Sequence, residues 1–169
     1  MPHFFPMIRG GGLFIIIMGI GVVLGGVFPG RRLSLVVLGG AVGSLAIALS
    51  ANVLARPLGL PTRVQYWALA VAIFIEAILI RVVVARYKSA GERTFLLAVL
   101  FVVGVHFIPM AITFGPLCAA LGVSAMANAG LGLWRKRAAS LNTLWTVDGA
   151  LKMAFGGLMF SIASNGGAA

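Results

Sequence analysis

Six long apolar segments occupy most of the chain, and they constrain its fold more than any other feature. A helix needs roughly 20 apolar residues to cross a hydrocarbon core about 30 Å thick. Inside lipid every backbone N–H and C=O must be bonded within the protein, and these segments lack the alternation of a barrel strand. We therefore predict an all-α integral membrane protein, with residues 1–169 forming a single domain that is a six-transmembrane-helix bundle. The predicted spans are residues 13–28, 33–54, 65–85, 94–113, 117–134 and 141–163.

The composition excludes an ordinary soluble domain. Hydrophobic residues make up 61% of the chain and charged residues 9%, and the mean hydropathy is +1.10. Soluble domains carry about 25% charged residues, so most of this surface must face lipid. The net charge of +10 comes from short basic clusters between apolar segments. That pattern is typical of loops beside anionic lipid rather than of a nucleic-acid surface, so the predicted partner is the bilayer, not nucleic acid.

The basic residues are distributed unevenly between the two sides of the predicted bundle. The loops after the first, third and fifth segments hold eight Lys and Arg residues, whereas the opposite side holds three. The positive-inside rule places the richer side in the cytoplasm. We therefore expect a multi-pass protein of the cell membrane, the cytoplasmic or inner membrane of a bacterium, with both termini outside. The eight residues are Arg31, Arg32, Arg86, Lys88, Arg93, Arg135, Lys136 and Arg137, and the three are Arg9, Arg56 and Arg63.

Polar residues interrupt four of the predicted spans at similar distances from their ends. A charged side chain near the bilayer centre costs about 2.5–3.5 kcal/mol on insertion scales, so such residues are expected to face the bundle interior and to pair. We predict that they form a shared midplane site for a small solute or a proton. The predicted site residues are Glu76, His106, Asn128, Asp148 and Lys152.

Asp148 and Lys152 are four residues apart, which is the spacing and order of a favourable ion pair within one helix. This pairing leaves Glu76 without an obvious partner, so we expect Glu76 to be protonated or to pair with Lys152 or His106. The imidazole of His106 is suited to proton exchange near neutral pH. A packing role stays open for each residue: a self-neutralised pair for Asp148 and Lys152, and an interhelical hydrogen bond for His106 and for Asn128.

The chain also contains a faint internal repetition. The third and sixth segments both place an acid before a base, in "IEAILIR" and "VDGALK". Two three-helix halves necessarily have opposite orientations, which is the arrangement of transporters with inverted repeats. We therefore consider a 3+3 inverted repeat.

Two stretches resemble known families. "VGVHFIPMAITFGP", residues 103–116, resembles a helix of small multi-helix bacterial membrane families with no assigned function, which implies a membrane location. "NTLWTVDGALKMAFGG", residues 142–157, resembles the last helix of microbial rhodopsins. That resemblance implies that Lys152 would carry a retinal Schiff base and that Asp148 would be its counterion. The sequence departs from that family in having six apolar segments instead of seven, and Tyr66 where an acceptor carboxylate is expected.

Three classes of function follow from these patterns. The leading interpretation is a transporter or channel for a small solute or proton, without a cofactor and with a homo-oligomer as an expected partner. The alternative is a structural or accessory membrane protein whose buried charges specify packing, and a retinal-binding protein ranks behind both. An intramembrane enzyme is disfavoured because the sequence lacks a metal-ligand cluster and a nucleophile–base arrangement with usable spacing. The single cysteine, Cys118, excludes an intrachain disulfide.

Overall fold

The computed structural model describes residues 4–54, 58–135 and 139–165, and within these ranges the chain forms six α-helices and no strand. A short 3₁₀ turn, Pro29–Arg31, precedes the second helix. Arg56, Lys136 and Arg137, which entered the predicted topology, lie outside the described residues. The helices are α1 (Ile8–Val27), α2 (Arg32–Leu54), α3 (Arg63–Tyr87), α4 (Glu92–Phe114), α5 (Pro116–Trp134) and α6 (Leu141–Asn165).

Five of these helices, α1 to α5, are long and apolar enough to cross a membrane within the described part of the chain. The sixth, α6, is equally long but is not among them, and it contains Asp148 and Lys152. The chain is thus a small helical protein whose helices fit a multi-pass membrane protein.

The predicted helix boundaries differ most at the start of α1. The predicted span starts at Leu13, because three consecutive glycines precede it, whereas the helix begins at Ile8. Two of the three, Gly11 and Gly12, lie where α1 approaches its neighbours too closely for a side chain. A Cβ on Gly12 would lie 2.7 Å from the carbonyl oxygen of Gly156 in α6, and a Cβ on Gly11 would lie 2.3 Å from the ring of Phe114 in α4.

The six helices pack in an open arc, in the order α2, α1, α6, α5, α4 and α3. The contact between α1 and α6 is the most extensive, whereas α2 and α3, at the two ends of the arc, make few contacts or none with each other. Only 11% of the apolar stretch of α2 or of α3 is buried, against 50% in α4. Each helix therefore packs on the next along the arc, and the arc is open between its two ends, α2 and α3.

The turns between helices use local chemistry that stops one helix and starts the next. Thr62 and Gln65 form a capping box at the start of α3, each bonding a backbone N–H of the other. Gly115, with a φ of 93°, ends α4 in the left-handed region that glycine tolerates best, and Pro116 then begins α5. These signals set the ends of α3 and α4, the two helices that carry Glu76 and His106.

Candidate functional site

A cavity of about 590 Å³ lies between α1, α2, α3 and α4, at the open side of the arc. Its walls are mostly apolar, and α1 contributes Gly10, Phe14 and Met18. One carboxylate and one imidazole, those of Glu76 and His106, line it. Ligand sites typically combine apolar walls with a few polar groups that orient the ligand. The further lining residues include Ser44, Ile47, Tyr66, Leu69, Ile73, Phe107, Met110 and Phe114.

Glu76 and His106 come from different helices and face each other. The Oε1 atom of Glu76 in α3 lies 3.6 Å from the Nδ1 atom of His106 in α4, so the two form an ion pair whenever the imidazole is protonated. The side chain of Glu76 is 29% exposed, whereas that of His106 is 9% exposed. Of the two partners anticipated for Glu76, the near one is thus His106.

The residues of α3 that line the cavity explain why Glu76 points into it. Tyr66, Leu69, Ile73 and Glu76 are spaced by three or four residues, so they lie on one face of this helix. The same face is apolar except at its two ends. The carboxylate of Glu76 therefore marks the end of the apolar wall.

Asp148 and Lys152 form the predicted ion pair within α6, between Nζ and Oδ2. Both are fully buried, at 0% and 1% exposed. The Oδ1 atom of Asp148 has no hydrogen-bond partner among the described residues. The pair is therefore separated from solvent, with each charge compensated by the other.

Phe107 connects the ion pair to the cavity. The Nζ atom of Lys152 lies 5.8 Å from the centroid of its ring, within the range of a cation–π contact. The same ring stacks against His106, with centroids 4.5 Å apart. Phe107 thus contacts one member of each pair, Lys152 and His106.

Asn128 lies apart from both pairs. Its Nδ2 atom donates a 2.8 Å hydrogen bond to the carbonyl oxygen of Leu144, which ties α5 to α6. It is not among the residues that line the cavity. Of the five predicted site residues, the structure therefore brings Glu76 and His106 together in the cavity, buries Asp148 and Lys152 outside its lining, and gives Asn128 an interhelical bond.

A second polar cluster, at the other end of the bundle, was not anticipated from the sequence. Arg32, predicted to lie in a loop, begins α2 and is 5% exposed. Its guanidinium donates to Oε1 of Glu92 in α4 at 3.0 Å and to Oδ1 of Asn142 in α6, and it lies 5.9 Å from the ring of Trp145. The three contacts tie the starts of α2, α4 and α6 together. No sequence signal distinguishes Arg32 from Arg31, because only tertiary packing separates them.

The surroundings of Lys152 do not fit a retinal. Lys152 is 1% exposed, its Nζ atom is bonded to Asp148, and Phe107 covers it. Phe107 and His106 line the cavity, whereas Lys152 does not. A polyene attached at Lys152 would need space that side chains occupy, so no step is assigned to such a group.

The chemistry available in the cavity is acid–base and electrostatic. A carboxylate beside an imidazole is able to hold a proton between them or to act as the counterion of a cation. Within the described ranges no three His, Cys, Asp or Glu side chains converge in a way that would hold a metal ion. The single cysteine, Cys118, is free and buried at the cavity wall.

Comparison with known proteins assigns the family but no activity. No curated protein and no solved structure matches the chain. One family model, described as a family of unknown function (DUF6609), matches residues 3–167, and the chain belongs to that family.

Proposed function

We propose that this protein is a six-span membrane protein that moves a small solute or a proton through a polar site formed by Glu76 and His106. The observation that carries the proposal is the position of this pair, 3.6 Å apart, in an otherwise apolar cavity of about 590 Å³. Glu76 lies near the middle of α3, and His106 lies on the antiparallel α4. An ionisable residue at that depth is a functional-site hypothesis by default.

The proposal includes α6 as the sixth span, in spite of its two charges. Asp148 and Lys152 neutralise each other within the helix, which makes inserting them less costly than inserting either charge alone. Spans in all six helices place the basic loops on one side, so the cytoplasmic membrane and external termini remain part of the proposal. The exposed apolar faces of α2 and α3 would then contact lipid or a second copy of the chain.

An inverted repeat of two three-helix halves is also proposed, and the packing supports it. A Cβ on Gly21 of α1 would lie 3.2 Å from the Cα atom of Gly39 of α2, and a Cβ on Gly104 of α4 would lie 3.0 Å from the carbonyl oxygen of Gly122 of α5. The two glycine pairs have the same separation along the chain. The helix contacts correspond too, since α1 packs on α6 as α4 packs on α3. The correspondence fails for one pair of helices: α5 packs on α6, whereas the equivalent helices α2 and α3 are apart.

A flux assay on purified protein in liposomes tests the proposal. A dye that reports internal pH would follow proton movement under an imposed gradient, with and without a panel of small solutes. We expect a flux in the wild type that is lost in Glu76→Gln, since the amide cannot carry the charge. The control is Ser124→Ala, since this serine bonds only the carbonyl oxygen of Ala120 in its own helix and contributes to neither ion pair. Equal fluxes in wild type and Glu76→Gln would contradict the proposal.

The alternative function is a structural or accessory membrane protein without transport. It is favoured by the positions of three predicted site residues: Asp148 and Lys152 are sealed as a pair, and Asn128 bonds the backbone of α6. This alternative predicts no flux from the pure protein with any solute. It also predicts that Glu76→Gln changes association with a partner or the yield of folded protein.

A further inference from the structure

We propose that the cavity binds a lipophilic cation, such as a hydrophobic amine or an onium ion, with Glu76 as its counterion. The inference deepens the proposed function by naming the substrate class of that same site, and it rests on that function for the claim that the ligand is moved. Its three supports are the apolar walls, a carboxylate whose near partner is a titratable imidazole, and the lateral opening of the cavity.

The walls select an apolar ligand body. Aromatic and thioether side chains from α1 and α4 surround the space, among them Phe14, Met18, Met110 and Phe114. The volume of about 590 Å³ is within the range of sites for drug-sized ligands, roughly 300–1,000 Å³. Methionine side chains adapt to varied shapes, and aromatic faces attract cations. A sugar or an inorganic ion would leave most of this wall without a matching contact.

The charges at the inner end of the cavity select a cation. Lys152 is already bonded to Asp148, so its charge is compensated within α6. Glu76 has His106 as its ion-pair neighbour, and that imidazole is charged only when protonated. With a neutral imidazole, the carboxylate of Glu76 faces the cavity without a full positive charge beside it. A bound cation would supply that charge, whereas an anion would be repelled.

The open side of the arc gives such a ligand a route from the bilayer. The cavity is lined by Ser44 and Ile47 of α2 and by Leu69 and Ile73 of α3. These two helices make few contacts or none with each other, and both are mostly exposed. A molecule dissolved in the hydrocarbon region therefore reaches the cavity between α2 and α3 without crossing a packed interface.

Equilibrium dialysis in an uncharged detergent tests the inference with two ions of nearly equal size and shape. The probe is tetraphenylphosphonium, and tetraphenylborate is the anionic counterpart. We expect saturable binding of the cation only. Glu76→Gln should weaken that binding by about tenfold or more, because it removes a charge partner in a partly buried site. Ser124→Ala, whose hydroxyl bonds the backbone of its own helix, should bind as the wild type does.

A second variant fills the cavity and keeps the carboxylate. The nearest atom to a Cβ built on Gly10 is Cγ2 of Ile47 at 3.8 Å, so Gly10→Leu extends into the cavity without meeting backbone. Leucine also favours the helix more than glycine does. We expect this variant to elute as the wild type in gel filtration and to lose binding of the phosphonium ion.

The outcomes separate this inference from the proposed transport. Equal binding of both ions, or phosphonium binding that Glu76→Gln leaves unchanged, would overturn the lipophilic-cation site. A Glu76-dependent proton flux without phosphonium binding would overturn the ligand class and leave transport standing. Binding that depends on Glu76 and on Gly10, with no flux in liposomes, would support the site and reject transport.

Discussion

The two pairs of ionisable residues in this protein lie in opposite surroundings. Asp148 and Lys152 belong to α6, which packs along α1 through glycines that bring the two backbones together. Glu76 and His106 lie where α3 and α4 face the open side of the arc, next to a cavity. The first pair is fully buried and self-compensated, whereas the carboxylate of the second is 29% exposed.

The difference shows that a charged residue in an apolar helix can be accommodated in two ways. Where a partner is available one turn away and the neighbouring helix packs closely, the charges form a sealed pair that stabilises one arrangement. Where the partner is a titratable group on another helix and two nearby helices do not pack together, the charge remains accessible to a ligand. Only the second arrangement leaves room for a ligand to bind, so substitutions in the two pairs should have different consequences.

The largest expected effect is on stability, in Asp148→Ala. This change leaves Lys152 as a buried cation without its partner, which costs about 3–5 kcal/mol in comparable buried pairs. Unfolding by denaturing detergent, followed by circular dichroism, would measure the loss. The double variant Asp148→Leu with Lys152→Met removes both charges and should recover most of it. A double variant less stable than the single one would mean that the charges have a further partner.

The next effect concerns the contact between α1 and α6. A Cβ on Gly156 would lie 2.8 Å from the carbonyl oxygen of Gly12, so Gly156→Ala must push the helices apart and should cost about 1–3 kcal/mol. A methyl group on the adjacent Gly157 would have no neighbouring atom within 4 Å, so Gly157→Ala is the matched control and should be neutral or slightly stabilising. Equal unfolding curves for the two variants would show that α1 and α6 are not close-packed at Gly156.

A smaller effect is expected at Asn128. Asn128→Ala removes the 2.8 Å hydrogen bond to the carbonyl oxygen of Leu144, and interhelical bonds of this kind contribute about 0.6 kcal/mol on average within membranes. The control is Ser124→Ala, since this serine bonds the carbonyl of Ala120 in its own helix. Both variants should keep the flux and phosphonium binding. If folded Asn128→Ala lost the flux, Asn128 would be part of the functional site.

The smallest change in stability is expected in Glu76→Gln, the variant with the largest expected loss of flux. Its side chain is partly exposed and bordered by a cavity, so the amide fits in the same place at a cost of about 0.5 kcal/mol or less. Parallel measurement of unfolding and flux would check this. Loss of stability comparable to that of Asp148→Ala would make Glu76 a packing residue and remove the contrast between the two pairs.

The helices were predictable from the sequence because each depends on a local property. Apolar segments about as long as the hydrocarbon core is thick predicted all six helices. The pair of Asp148 and Lys152 was predictable for the same reason, since helix geometry alone places residues four apart on one side. The early start of α1 was not, because the close approach of Gly11 to α4 and of Gly12 to α6 is a tertiary contact.

The sequence by itself therefore determined the helical class, the approximate spans and the pairing inside α6, all of which follow from hydrophobicity and helix geometry over short distances. Tertiary structure decided which polar residues meet. It placed His106 against Glu76, brought Phe107 into contact with Lys152, buried Arg32 beside Glu92, and left α2 apart from α3. The reason is that positions on different helices become neighbours only through the packing of whole helix faces, which depends on glycine placement along the seams and not on the spacing within any one segment.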